Sequence, residues 1–171
     1  MAIAAKSSLV GLDETPQGQI KGHFLESLRL VERLHRRLLD IVKMRLDETG
    51  RTEINSVQAL LLYNIGDNEM TAGELRTRGY YLGSNVSYNL KKLVEMDYIE
   101  HERSEHDRRS VRIRLSDKGR DVKALVVSLF DEQLADALGG KHMTPEDMKG
   151  LRDALRGLER YWSEQINYAT L

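Results

Sequence analysis

Residues 84–115 read SNVSYNLKKLVEMDYIEHERSEHDRRSVRIRL, and two different periodicities meet inside that stretch. From Ser84 to Met96 the apolar residues Val86, Leu90, Leu93 and Val94 return at three- and four-residue steps, which places them on one face of a helix. Ser84, Asn85, Tyr88, Lys91 and Lys92 gather on the other face. Short hydrogen-bonding side chains near the N-terminus, with lysines further along, suit a helix whose first turns meet base edges in a major groove. An ordinary solvated face produces the same pattern, so the segment after the helix decides between them.

That segment changes to the two-residue period of strands. Tyr98 to Arg103 and Val111 to Leu115 are predicted to pair around a charged turn, Ser104 to Ser110, centred on Asp107. The pairing sets Ile99 opposite Leu115, Glu100 opposite Arg114 and Glu102 opposite Arg112. Arg112 and Arg114 thereby gain acidic partners, while Arg108 and Arg109 at the tip have only Asp107 nearby and are free to project toward phosphate or a groove.

Upstream, Asn55 and Gln58 form a capping box before a helix carrying Val57, Leu60, Leu61 and Ile65, which stops near Gly66. Thr71 and Glu74 repeat the box before a short helix that carries Leu75 and ends by Gly79. Two short helices, the helix from Ser84 and the hairpin make a winged helix-turn-helix over 55–115.

Long helices flank it. Residues 20–48 carry Phe24, Leu28, Val31, His35, Leu38 and Val42 at helical spacing, with Leu25, Leu34, Leu39 and Ile41 widening the stripe. Residues 1–19, with Gly11, Pro16 and Gly18, are expected to be a mobile arm. After the wing, Ser116 is expected to cap a helix with Val122, Leu125, Val126, Leu129, Phe130 and Leu134 on one side, ending at Gly139-Gly140. Thr144, Pro145 and Asp147 then start a last helix in which Met148, Leu151, Leu155, Leu158 and Trp162 form a continuous seam. Together, 20–48 and 116–171 hold more apolar surface than one winged helix covers. Phe24, Leu28, Leu151, Leu155, Leu158 and Trp162 are therefore expected in a homodimer interface. The fold class is mainly α with a small β-hairpin wing, in one domain over 20–171.

The remaining composition is consistent with this and narrows it. At 171 residues, with 40% hydrophobic and 31% charged, the chain suits one compact soluble domain. A net charge of -1 excludes a polyanion binder working by bulk charge, so contact with nucleic acid must rest on local basic groups. No cysteine is present, which excludes a thiol switch or a thiolate metal site and fits a cytoplasmic protein. Residues 1–12 are too interrupted for a signal peptide, and no apolar run reaches the roughly 18 residues of a membrane span. Neither a phosphate-cradling glycine loop nor a Gly-x-Ser-x-Gly elbow occurs, so no enzyme and no cofactor is expected. His101 and His106, among Glu102, Glu105 and Asp107, match no structural metal spacing and are expected to be solvated wing residues.

Asp107-Arg108-Arg109-Ser110-Val111-Arg112-Ile113 resembles the wing signature of the MarR family, Asp-x-Arg followed by three residues and an aliphatic. Ser84-Asn85-Val86-Ser87 is similar to the start of that family's recognition helix, Leu93 holds its usual leucine, and Leu115-Ser116-Asp117-Lys118-Gly119 is similar to the segment closing the wing. Three features depart from the pattern: Asp97 stands where glycine commonly ends the recognition helix, no proline precedes Asp107, and Gly79 to Gly83 is long for the turn. The resemblance spans about Ile20 to Ile166. It implies a homodimer that binds a palindromic DNA operator, usually as a repressor, and responds to a small-molecule effector. Ser84, Asn85, Ser87, Tyr88, Lys91, Lys92, Arg108 and Arg109 would then contact DNA, with Asp107 bracing the wing tip. It also implies an effector pocket between the winged helix and the dimerisation helices, for which His35, Leu39 and Tyr63 are candidates; on spacing alone, His35 reads as a core residue. The sequence leaves one alternative, a winged-helix dimer that contacts proteins and not DNA.

Overall fold

The computed structural model describes residues 15–67, 69–71, 74–75, 83–103, 111–140 and 142–169, and at 83–85, 102–103, 111 and 169 it describes the backbone alone. The chain divides into two units, Met1–Val57 and Gln58–Leu171.

The first unit is dominated by α1 (Pro16–Glu48). Thr15 caps it, its hydroxyl accepting from the Gly18 amide at 3.1 Å, and Pro16 occupies the first helical position. This corrects the expectation that irregular chain extends to residue 19. A proline that breaks a helix interior is preorganised for a first turn, where its missing N–H would have no helical partner. At the other end Gly50 adopts a positive φ of 71°; its amide reaches Asp47 O at 3.0 Å and the Arg51 amide reaches Leu46 O at 2.8 Å, a Schellman closure. Val42 and Leu46 are buried, whereas Phe24, Leu25, Val31 and Leu34 are exposed. His35 is exposed as well, against the expectation of a core histidine, because the middle of α1 leaves its side chains open to solvent in the single chain. The Ser56 hydroxyl donates to Leu39 O at 2.7 Å and ties the start of α2 (Ser56–Ile65) back onto α1.

In the second unit, α2 ends at Gly66, whose φ of 70° closes it where expected. The strand β1 (Met70–Thr71) follows. The Thr71 amide donates to Glu74 Oε2 at 2.6 Å and the Glu74 amide to Thr71 Oγ1 at 3.1 Å, so the second capping box forms reciprocally. Glu74 and Leu75 are helical and Leu75 is buried. Then come α3 (Gly83–Glu95), β2 (Ile99–Arg103), β3 (Val111–Leu115), α4 (Asp117–Gly139) and α5 (Pro145–Ala169). The sheet is antiparallel in the order β1-β3-β2, with α3 beside β2 and α4 beside β3.

The wing register agrees with the charge pattern: Ile99 faces Leu115, Glu100 faces Arg114 and Glu102 faces Arg112. Leu61, Leu62, Ile65, Val86, Leu93, Tyr98, Ile113, Leu115, Val122 and Val126 are buried in this unit. The Tyr63 ring meets Phe130 edge-on with centroids 5.2 Å apart. The first turn of α5 is closed by Thr144 and Asp147, whose amides donate to each other's side chains at 2.9 and 3.1 Å. The Thr144 amide, and then its hydroxyl, hold the Asp147 carboxyl below its usual range. Beyond that turn α5 leaves Leu151, Leu155, Tyr161, Trp162 and Ile166 exposed. Among the described residues no helix is long and apolar enough to cross a membrane.

Candidate nucleic-acid interface

The helix α3 is anchored on one side and open on the other. Val86, Leu90 and Leu93 are 1%, 8% and 0% exposed, whereas Tyr88 is 63% exposed, and Ser87 and Lys91 also face solvent. An aromatic ring held out of the core on a helix fixed by three buried aliphatics is preorganised to meet a partner. The backbone of Ser84 and Asn85 lies in the first turn of α3, where helical amides without intrahelical acceptors attract phosphate.

The two lysines are arranged differently from the sequence reading, which left them to solvent and DNA. Lys92 Nζ lies 2.7 Å from Glu95 Oε2 and Lys91 Nζ 3.8 Å from Glu95 Oε1, so one carboxylate holds both. The Lys92 hydrogen bond lowers the pKa of Glu95, and the same bond raises that of Lys92. All three groups stay in water, where such pairs are weak and exchangeable, so a competing anion can take the lysines from Glu95. The i,i+3 and i,i+4 spacing that signals this pairing is visible in the sequence.

The end of α3 is closed by Asp97 in the left-handed conformation, at φ 61°, the sole non-glycine with positive φ among the described residues. The Asp97 amide donates to Val94 O at 3.1 Å and the Tyr98 amide to Leu93 O at 2.8 Å. Asp97 thus performs the task glycine has in the pattern the sequence resembles.

In the wing, Arg114 Nε pairs with Glu100 Oε2 at 2.7 Å, as the register requires. Arg112 reaches Glu69 Oε2 at 3.3 Å, just before β1, while the Glu102 side chain lies outside the described residues. That partner was missed because β1 itself was: the two-residue strand has no alternation to detect and exists through its pairing with Ile113 and Arg112. Asp107, Arg108, Arg109 and His106 lie outside the described residues. His101 is exposed.

Of the effector-pocket candidates, Leu39 lines a cavity of about 410 Å³ with Arg33, Arg36, Arg37 and Asp40. His35 is exposed on the same helix, and Tyr63 belongs to the second unit.

Residues 54–119 match a family of winged helix DNA-binding domains. A curated relative, the exopolysaccharide II synthesis transcriptional activator ExpG of Rhizobium meliloti (strain 1021), is 45% identical over 101 residues, 59% of this chain and 52% of that protein, so the chain spans about half the length of the curated relative it matches. A MarR-family regulator from Listeria monocytogenes, solved with a 26mer DNA, superposes with a TM-score of 0.71 at 19% identity, covering 84% of this chain and 93% of that one. Streptococcus pneumoniae FabT in complex with DNA superposes at 0.67 and 21% identity, covering 83% and 99%. Residues 54–119 are thus similar to winged-helix DNA-binding domains, and the chain has the fold of the MarR-type transcriptional regulators.

Proposed function

From a winged-helix DNA-binding domain within a MarR-type fold, we propose that this protein is a sequence-specific transcription regulator that acts by binding a palindromic operator as a homodimer. The observation that carries the reading is the split of α3 into a buried aliphatic face and an open face with Tyr88, Ser87 and Lys91. Ser84, Asn85, Ser87 and Tyr88 contact bases or adjacent phosphates in the major groove, and Lys91 and Lys92 exchange Glu95 for phosphate. Arg108 and Arg109 enter the flanking minor groove, where a permanently charged guanidinium is drawn by the negative potential, with Asp107 bracing the tip.

Dimerisation is supported by the apolar surface the single chain leaves open. Phe24 on α1 and Leu151, Leu155 and Trp162 on α5 are each between 42% and 45% exposed, large apolar side chains on two helix stripes of the kind that association buries. Leu28 and Leu158, half-buried, extend the two stripes. A small-molecule effector is supported by the cavity on α1, lined by Leu39, by three arginines and by Asp40; an anion with an apolar body fits there by taking Arg37 from Asp40 and Arg33 from Glu26, exposed pairs at 3.2 and 3.4 Å. The resemblance to the MarR family implies repression, and the relative's name, an activator, favours the other sign. One DNA-bound dimer gives either outcome according to where its operator lies relative to the polymerase. The site of action is the cytoplasm, where the chromosome is.

The test is operator binding by wild type and by the Asn85→Ala, Tyr88→Ala double variant across a randomised operator library. The double variant is expected to lose sequence preference more than non-specific affinity. A preference identical to wild type would overturn the assignment of α3, and an intact dimer that binds no DNA would favour the protein-contact alternative.

A further inference from the structure

The C-terminal end of α3 is held by the start of α4, and the contacts concentrate on three successive carbonyls. Lys118 Nζ donates to Met96 O at 3.2 Å, Ser116 Oγ donates to Asp97 O at 2.6 Å, and the Ser116 amide donates to Tyr98 O at 3.2 Å. The same ammonium sits 4.1 Å from the centroid of the Tyr98 ring, and Tyr98 is fully buried, so the ring is a fixed reference and not a mobile flap. The Ser116 hydroxyl also accepts from the Gly119 amide at 3.1 Å, which locks it into the cap of α4. Gly119 is buried against the Tyr98 carbonyl so closely that a Cβ there would collide with it.

Each of these groups has a reason to be at that point. The carbonyls of Met96, Asp97 and Tyr98 belong to the residues at and just past the Schellman closure, beside the helix's negative dipole end, and each accepts from the start of α4. An ammonium there satisfies one carbonyl and the dipole together, and the aromatic face beneath it supplies a second attraction. Lys118 belongs to the first turn of α4, the helix that leads on to α5.

We infer that Lys118 is a positioning residue for DNA recognition: by latching the end of α3 to α4 it fixes the angle at which α3 is presented, and so the half-site spacing that a dimer accepts. This rests on the reading of α3 as the DNA-contacting helix. Two recognition helices reach successive grooves only at a set separation, so rotation of each helix about its C-terminal anchor changes the spacing tolerated and not the bases read.

The experiment compares wild type, Lys118→Met and Lys118→Arg, using the full chain. Lys118→Met keeps an unbranched stem and removes the charge and the donor; Lys118→Arg keeps both. The first readout needs no DNA: amide hydrogen exchange at Asp97 and Tyr98, whose N–H groups make the Schellman bonds. Lys118→Met should accelerate it about threefold to tenfold, the scale of one exposed charge-assisted bond, while exchange within α4 beyond Val122 stays as in wild type. The second readout is binding to operators whose half-sites are moved apart or together by single base pairs. Lys118→Met should flatten the preference for the best spacing by about threefold to tenfold, leave base preference within a half-site unchanged, and be rescued by Lys118→Arg. Unchanged exchange at Tyr98 would overturn the latch. Faster exchange with an unchanged spacing profile would overturn its role in positioning, as would a uniform loss on every operator that follows a fall in melting temperature. Wild type that binds no operator would overturn the DNA-binding reading, and the exchange result would still decide the latch.

Discussion

Gly119→Ala is the smallest change that should disturb the junction between the wing and α4. A Cβ on Gly119 would fall well inside contact distance of the Tyr98 carbonyl oxygen, with the carbonyl carbon at 3.3 Å and Leu115 Cβ at 3.4 Å. To restore an ordinary carbon–oxygen separation, the two backbones must part by roughly 1 Å. Neither side yields easily, since Tyr98 is fully buried and its carbonyl accepts from the Ser116 amide at 3.2 Å. Stretching that bond costs about 1 kcal/mol and the overpacking about 1 to 3 kcal/mol, so the variant should lose about 2 to 4 kcal/mol. For a chain of this size that lowers Tm by about 5 to 15 °C. Thermal unfolding at matched chain concentration, followed by circular dichroism, reads it directly. A variant melting within about 2 °C of wild type would refute the reasoning, because it would mean the contact relaxes at a cost of no more than about 1 kcal/mol.

Asp97→Gly should stabilise the fold by about 0.5 to 1 kcal/mol, since glycine takes the positive φ of 61° without steric cost and the bonds closing the helix are made by backbone; urea unfolding showing a loss would contradict it. Glu95→Gln should release Lys91 and Lys92 and remove a negative charge near the phosphates, so non-specific DNA affinity should rise and its salt dependence steepen by about 1 to 2 ions; an unchanged titration across salt concentrations would show that neither lysine reaches DNA. Leu155→Asp combined with Leu158→Asp places carboxylates on the α5 seam and should yield monomers at micromolar concentration in sedimentation; a double variant that stays dimeric would move the interface elsewhere.

The wing was legible because its charges encode its register. Glu100 and Glu102 stand two apart on one segment and Arg112 and Arg114, between aliphatics, two apart on the next, and just one antiparallel alignment pairs them all. The helix caps at Thr71, Ser116 and Thr144 were legible for a similar reason, since each is a local side-chain to backbone bond between residues three apart. Tertiary features were not. The Met70–Thr71 strand is defined by its partners, and the Arg112–Glu69 pair could not be seen without it. The Thr15-Pro16 start was visible but ambiguous, because proline and glycine signal both a loop and a first turn. For the candidate interface, the sequence showed which face of α3 is open and carried the spacing by which Glu95 holds its lysines, but not that Lys118 grips its end.

The most direct test of the central claim is selection of DNA from a fully randomised double-stranded library by the wild-type protein, followed by sequencing of the retained fraction. A dimer presenting two copies of α3 should enrich a palindrome whose half-site centres lie about 10 to 10.5 base pairs apart, or a multiple of that. A retained pool with no enriched sequence, or a single unrepeated site bound by one chain, would contradict it.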